Sequence, residues 1–204
     1  MRTSRLEAFS DGVMAIIITI MVLELRLPEG HTFADLWHTT GKGLLSYLLS
    51  FVYVGIYWNN HHHMFQLARQ VTGGVLWANL GLLFFLSLFP FTTAWMDETG
   101  YARFPVVLFG VNLLAAACAY VVLQQVVIRA HGPDSRLRQA VGWDLKGRIS
   151  PLFYLAGILS VLFVDTHGRI GVIIATACYT IVALIWIIPD RRIGRAVRDV
   201  GSLD

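Results

Sequence analysis

"FSDGVMAIIITIMVLEL", residues 9–25, places a serine and an aspartate at the lip of a run that stays apolar as far as Glu24. Arg5 stands just ahead of it. The hydrocarbon core of a bilayer takes about 20 mostly apolar residues in a helix that rises 1.5 Å per residue, and this run supplies them. Arginines at its head could open a secretory signal. Asp11 interrupts the apolar core, however, and "LELRLPEG" lacks a small-residue cleavage pattern, so the helix reads as a retained span.

Working outward, the same kind of segment recurs. Of 204 residues, 56% are hydrophobic and 14% charged, and mean hydropathy is +0.62, beyond the apolar share of ordinary soluble domains. The expectation is an all-α integral membrane protein, a single domain over 1–204. Its six spans are drawn near 6–26, 44–67, 73–95, 103–128, 149–165 and 169–189. Only "DTHG" separates the last two, which predicts a tight helical hairpin. Pro90 falls inside the third span and should kink it, because proline removes an amide donor.

With the N-terminus inside, twelve of the 16 basic residues fall on the cytoplasmic side, leaving Arg26, Lys42, Arg103 and Arg169 outside. The positive-inside rule then predicts both termini in the cytoplasm. The basic stretch 129–148 becomes a cytoplasmic loop with a "GPD" turn and a short amphipathic helix. Topology alone accounts for these charges, so no nucleic acid is expected as a partner. Arginine-rich inner loops without a targeting sequence suit a bacterial inner membrane. Cys118 and Cys178 lie within spans, lack ligand spacing and read as packing residues.

Ionisable and amide side chains inside spans are costly, and each is a functional or structural candidate. Asp11 lies about 9 Å deep, counted from Arg5. His62 in the second span and Asn79 in the third reach a similar depth, so the three are expected to meet. In "YWNNHHHMFQLAR" the 100° turn per residue aligns Trp58, His62, Phe65 and Arg69 on one stripe and turns His61 and His63 elsewhere. Consecutive histidines on a helix cannot all ligate one metal, and no "HExxH" is present, so no tightly bound metal is expected. A His62–Asp11 bond that orients helices and a proton-sensing pair both remain open.

On the first span, with Ile16 as the origin of the wheel, Gly12, Thr19, Ile20, Leu23 and Leu27 fall within about 60° and Asp11 about 140° away. This apolar stripe with one hydroxyl could face lipid, the bundle or an aqueous axis.

Arg5 with "FSDGVMAIIITIMVLEL", then "YWNNHHHMF" and "NLGLLFFLSLFPFTTAW", resembles the bacterial one-repeat branch of the transmembrane-protein-175 family of potassium channels. The resemblance covers the first three spans in order and spacing. It implies a homotetramer in the lipid bilayer in which each first span lines a central pore for monovalent cations. Bulky apolar rings would fall on Ile16 and Leu23, with Thr19 between them as a transient potassium site. Arg5, Phe9, Ser10 and Asp11 would pack this span on the second and third, opposite Trp58, His62 and Asn79. Passive potassium conduction is the function implied, without cofactor. A proton-coupled carrier titrating Asp11 and His62 is the alternative. An enzyme is not expected, since no nucleophile and base lie at credible spacing.

Overall fold

The computed structural model describes residues 3–68, 70–132, 137–138, 145–164 and 169–187. Arg69, half of the 129–148 loop and the "DTHG" turn therefore lie outside the described residues. All regular structure among them is helical: α1 (Thr3–Leu23), α2 (Phe33–Gln66), α3 (Gly73–Ser87), α4 (Phe89–Glu98), α5 (Arg103–His131), α6 (Leu145–Leu159) running into a π-helical turn (Ser160–Val164), and α7 (Ile170–Ile187). Among the described residues, five segments are long and apolar enough to cross a membrane: Thr3–Leu23, Gly73–Glu98, Arg103–His131, Leu145–Val164 and Ile170–Ile187. The sixth, α2, has the length, but its hydropathy is lowered by serines, Asn59, Asn60 and the three histidines.

The second helix starts well before residue 44, where the apolar pattern begins. Thr32 accepts from the Asp35 amide at 3.2 Å while the Asp35 carboxylate accepts from the Thr32 amide at 3.0 Å. This reciprocal capping box satisfies two amides that a helix start leaves without partners. Polar residues 33–43 are thereby helical. At 34 residues the rod is about 51 Å long against a hydrocarbon core of about 30 Å.

The third span breaks where proline forces it to. Pro90 cannot donate to the ladder, and Leu88 closes α3 with its amide on the Phe85 and Leu86 carbonyls before α4 begins.

α1 packs on α2, α3 and α4, while α5, α6 and α7 pack together on another side of the bundle, α7 also touching α2. The centre of that second group is Tyr179, fully buried. Its ring meets Phe109 edge-on at 5.9 Å and Tyr154 at 6.3 Å, and its carbonyl accepts from the Tyr53 hydroxyl at 2.5 Å. Two glycines make room for it. A Cβ on Gly110 would come 2.0 Å from the Tyr179 hydroxyl oxygen, and one on Gly157 would come 2.6 Å from its Cε1.

Candidate functional site

α1 has two faces of opposite character. Leu6, Ser10, Met14, Ile17 and Met21, at helical spacing, are buried against the rest of the chain. The opposite stripe is left largely uncovered by the described residues. Ile16 is 58% exposed, Ile20 41% and Leu23 80%; Gly12 and Thr19 are also exposed, and a Cβ on Gly12 would meet nothing within 4 Å. Leu27 is 88% exposed, but α1 ends at Leu23. The wheel extrapolated past the helix, so Leu27 belongs to the following loop and not to this stripe. The Thr19 hydroxyl donates to the Ile16 carbonyl at 2.9 Å, which leaves its oxygen lone pairs on the exposed side.

The buried face is fixed by a hydrogen-bonded chain through three helices. The Ser10 hydroxyl donates to the Leu6 carbonyl at 2.9 Å and accepts from Asn79 Nδ2 at 2.9 Å. Asn79 Oδ1 therefore faces His61 Nε2, 2.8 Å away. The direction of the chain assigns the proton, because an amide oxygen only accepts: His61 carries hydrogen on Nε2. Its Nδ1 is buried without a partner among the described residues. Ser10, Asn79 and His61 are each no more than 1% exposed. With little water to compete, such a chain resists sliding or rotation of α1.

The histidine at this junction is His61, not His62. Asp11 meets Trp58 instead, whose indole N–H donates to Oδ1 at 3.0 Å. His62 stacks on the Trp58 ring at 6.1 Å and bonds Gln66 through Nε2 at 2.8 Å. The reason is the phase of α2: its bundle-facing stripe is Tyr53, Tyr57, Asn60, His61 and Met64. A stripe started from Trp58 is rotated away by one residue, about 100°. Two further expectations fail within the chain. Phe9 is 55% exposed and Arg5 is exposed on the helix surface, so neither packs α1 onto its own bundle.

The acids near the connection between α1 and α2 have different fates. Glu98 pairs with Arg26 at 3.5 Å, both side chains well exposed. Asp35 is engaged in the α2 cap, whose Thr32 hydroxyl and amide hold its carboxyl below the ordinary carboxylate value. Glu24 and Asp97 share a small recess beside Gly43 and Tyr47. Among the described residues no group of three or more histidine, cysteine or acidic side chains is placed to hold a metal ion.

A first helix pinned inward by buried polar bonds, with one stripe uncovered among the described residues, defines the class: a multi-span helical membrane protein with an unpartnered helix face. Residues 5–90 match the family model described as endosomal/lysosomal potassium channel TMEM175. The chain is 48% identical over 199 residues to a potassium channel of a Chryseobacterium species, covering 98% of this chain and 100% of that one. It superposes on the crystal structure of a lysosomal potassium-selective channel TMEM175 homolog from Chamaesiphon minutus with a TM-score of 0.69, at 26% identity, over 92% of this chain and 97% of that one. The human endosomal/lysosomal proton channel TMEM175 is 34% identical over 113 residues, half of this chain and 22% of that protein. The chain belongs to the TMEM175 family of ion channels.

Proposed function

We propose that this protein is a passive, potassium-permeable cation channel of a bacterial inner membrane. Each chain acts as one six-span unit with both termini in the cytoplasm, and a homotetramer places the four α1 helices around the axis. The observation that carries this reading is the bare stripe of α1, apolar except for Thr19 and opposite the face that Ser10 holds to the bundle. Seven residues separate Ile16 from Leu23, so rings of these side chains lie about 10 Å apart along the pore, with the Thr19 oxygens between them. An apolar constriction of this kind controls flow by steric limit and dewetting, and conducts when it widens and rewets. Potassium sheds water more readily than sodium and is favoured to a modest extent. No cofactor takes part.

Asp11 bonded to Trp58, with His62 turned to Gln66, supplies no coupled titrating pair, which weighs against a proton-coupled carrier. Purified protein in a planar bilayer tests the proposal. Unitary potassium currents that change in Ile16→Asn and Leu23→Ala are expected. Electrically silent, saturable exchange driven by a pH gradient would establish the carrier instead. Because the human relative is named a proton channel, currents carried by protons alone are measured in the same bilayers, and their predominance would also displace potassium as the permeant ion.

A further inference from the structure

Asn112 keeps both polar atoms of its side chain, Nδ2 and Oδ1, buried without a hydrogen-bond partner among the described residues. It is 4% exposed and follows Arg103, the first residue of α5, by nine positions. That places it about 14 Å along the helix, well within a segment able to cross a membrane. At such a depth a carboxamide has neither bulk solvent nor lipid headgroups to bond, and leaving both atoms unpaired is strongly unfavourable.

The packing of α5 shows what Asn112 faces. Gly110 marks the side turned to α6 and α7, since a Cβ there would come 3.0 Å from Ile158 Cγ1 and 2.0 Å from the Tyr179 hydroxyl oxygen. Asn112 lies about 160° round the helix from Gly110, on the side left to α3 and α4, the other helices against which α5 packs closely. Phe109 sets the height, because its ring meets that of Phe89, the first residue of α4, at 6.1 Å. α5 returns antiparallel to α4 after the short connection 99–102. Asn112, about 4.5 Å beyond Phe109 along the axis, therefore comes level with the last turn of α3, at the break. There Pro90 has no amide to give the Leu86 carbonyl, which in an unbroken helix would accept from residue 90. Leu86 is fully buried, and its carbonyl is left to share the Leu88 amide with that of Phe85.

The opposite polarity of the two atoms selects the ligand. Nδ2 only donates and Oδ1 only accepts, so a cation would satisfy Oδ1 alone and an anion Nδ2 alone, whereas water both accepts and donates. We propose that Asn112 and the break between α3 and α4 form an internal water site of one or two molecules, each needing about 10–15 Å³. One water accepts from Nδ2 and donates to the Leu86 carbonyl, and a neighbouring water donates to Oδ1. The site is apart from the bare stripe of α1, so it stands or falls separately from the conduction proposal. A density map of the full chain in lipid nanodiscs, at a resolution that shows ordered water, tests it. A peak within hydrogen-bond distance of Asn112 and the Leu86 oxygen is expected in the wild type and is expected to vanish in Asn112→Leu, which keeps the size but not the bonds. Asn112→Leu is also expected to lower the melting temperature by about 2–6 °C, because the Leu86 carbonyl loses its water. Pro90→Ala returns an amide to that carbonyl, and in its background the shift caused by Asn112→Leu is expected to shrink. A melting temperature unchanged or raised by Asn112→Leu, the result of removing a truly orphaned amide, would overturn the proposal. So would a wild-type map with no ordered peak at Asn112. Stabilisation by sodium or potassium chloride that is lost in Asn112→Leu would make this a cation site and would also overturn it.

Discussion

Removing the Ser10 hydroxyl is the sharpest test of what holds α1 in place. Ser10→Ala deletes a group with no exposure that accepts from Asn79 at 2.9 Å, and leaves the Asn79 amide without an acceptor. Interhelical hydrogen bonds in membranes average about 0.6 kcal/mol and reach about 1.7, and an orphaned buried donor adds to that, so a loss of about 1–2 kcal/mol is expected. For a chain of this size each kcal/mol lowers Tm by about 2–4 °C. The melting transition of the purified channel in detergent should therefore drop by about 2–8 °C. Asn79→Leu removes the bonds to Ser10 and His61 together and should cost more. The double variant should cost less than the two singles combined, because Ser10→Ala has nothing left to orphan once Asn79 is gone. Wild-type stability in Ser10→Ala, or strict additivity in the double variant, would show that the chain Ser10–Asn79–His61 is not an energetic unit.

Other outcomes follow from the same geometry. Trp58→Phe removes the indole N–H that Asp11 accepts and should alter unitary conductance in bilayer recordings, whereas His62→Ala leaves that bond intact and should change conductance less. Gly110→Ala drives a Cβ to 2.0 Å from the Tyr179 hydroxyl oxygen, an overpacking that costs about 1–3 kcal/mol or more; size-exclusion profiles should show loss of monodisperse protein, relieved in part by Tyr179→Phe. The Asp35 carboxyl is depressed by its Thr32 partners, so the cap it forms is complete above the ordinary value of 3.8 and is lost only as pH falls through the lower folded value. Hydrogen exchange at residues 33–36 should accelerate in that acid window, and Thr32→Ala should produce the same fraying at neutral pH.

The α1 faces could be read from the sequence because a single helix with a strict period reports its own orientation: Ile16 and Ser10 differ by six residues and so point about 120° apart. The partner on α2 could not be read as directly. The run "WNNHHHM" offers polar groups at every angle, and only the phase of the apolar residues around it decides which histidine faces inward. Tyr53, Tyr57 and Met64 carry that phase, and His61 lies four residues beyond Tyr57. The early start of α2 was also present in the chain as Thr32-x-x-Asp35, but a lone acid near a loop looks like solvated surface until its amide partner is known. Phe9 and Arg5 show the converse limit. Their neighbours within one chain leave them exposed, and no pattern along the sequence distinguishes a side chain that packs in its own bundle from one that awaits contact elsewhere.

The Thr19 hydroxyl has a consequence for anything that travels along the bare side of α1. Its proton is committed to the Ile16 carbonyl, so the dipole is locked with its electron-rich end outward. In the proposed pore such a layer would repel chloride and welcome a partly stripped alkali ion without a formal charge, and neither acid nor carboxylate-modifying reagents would switch its polarity off.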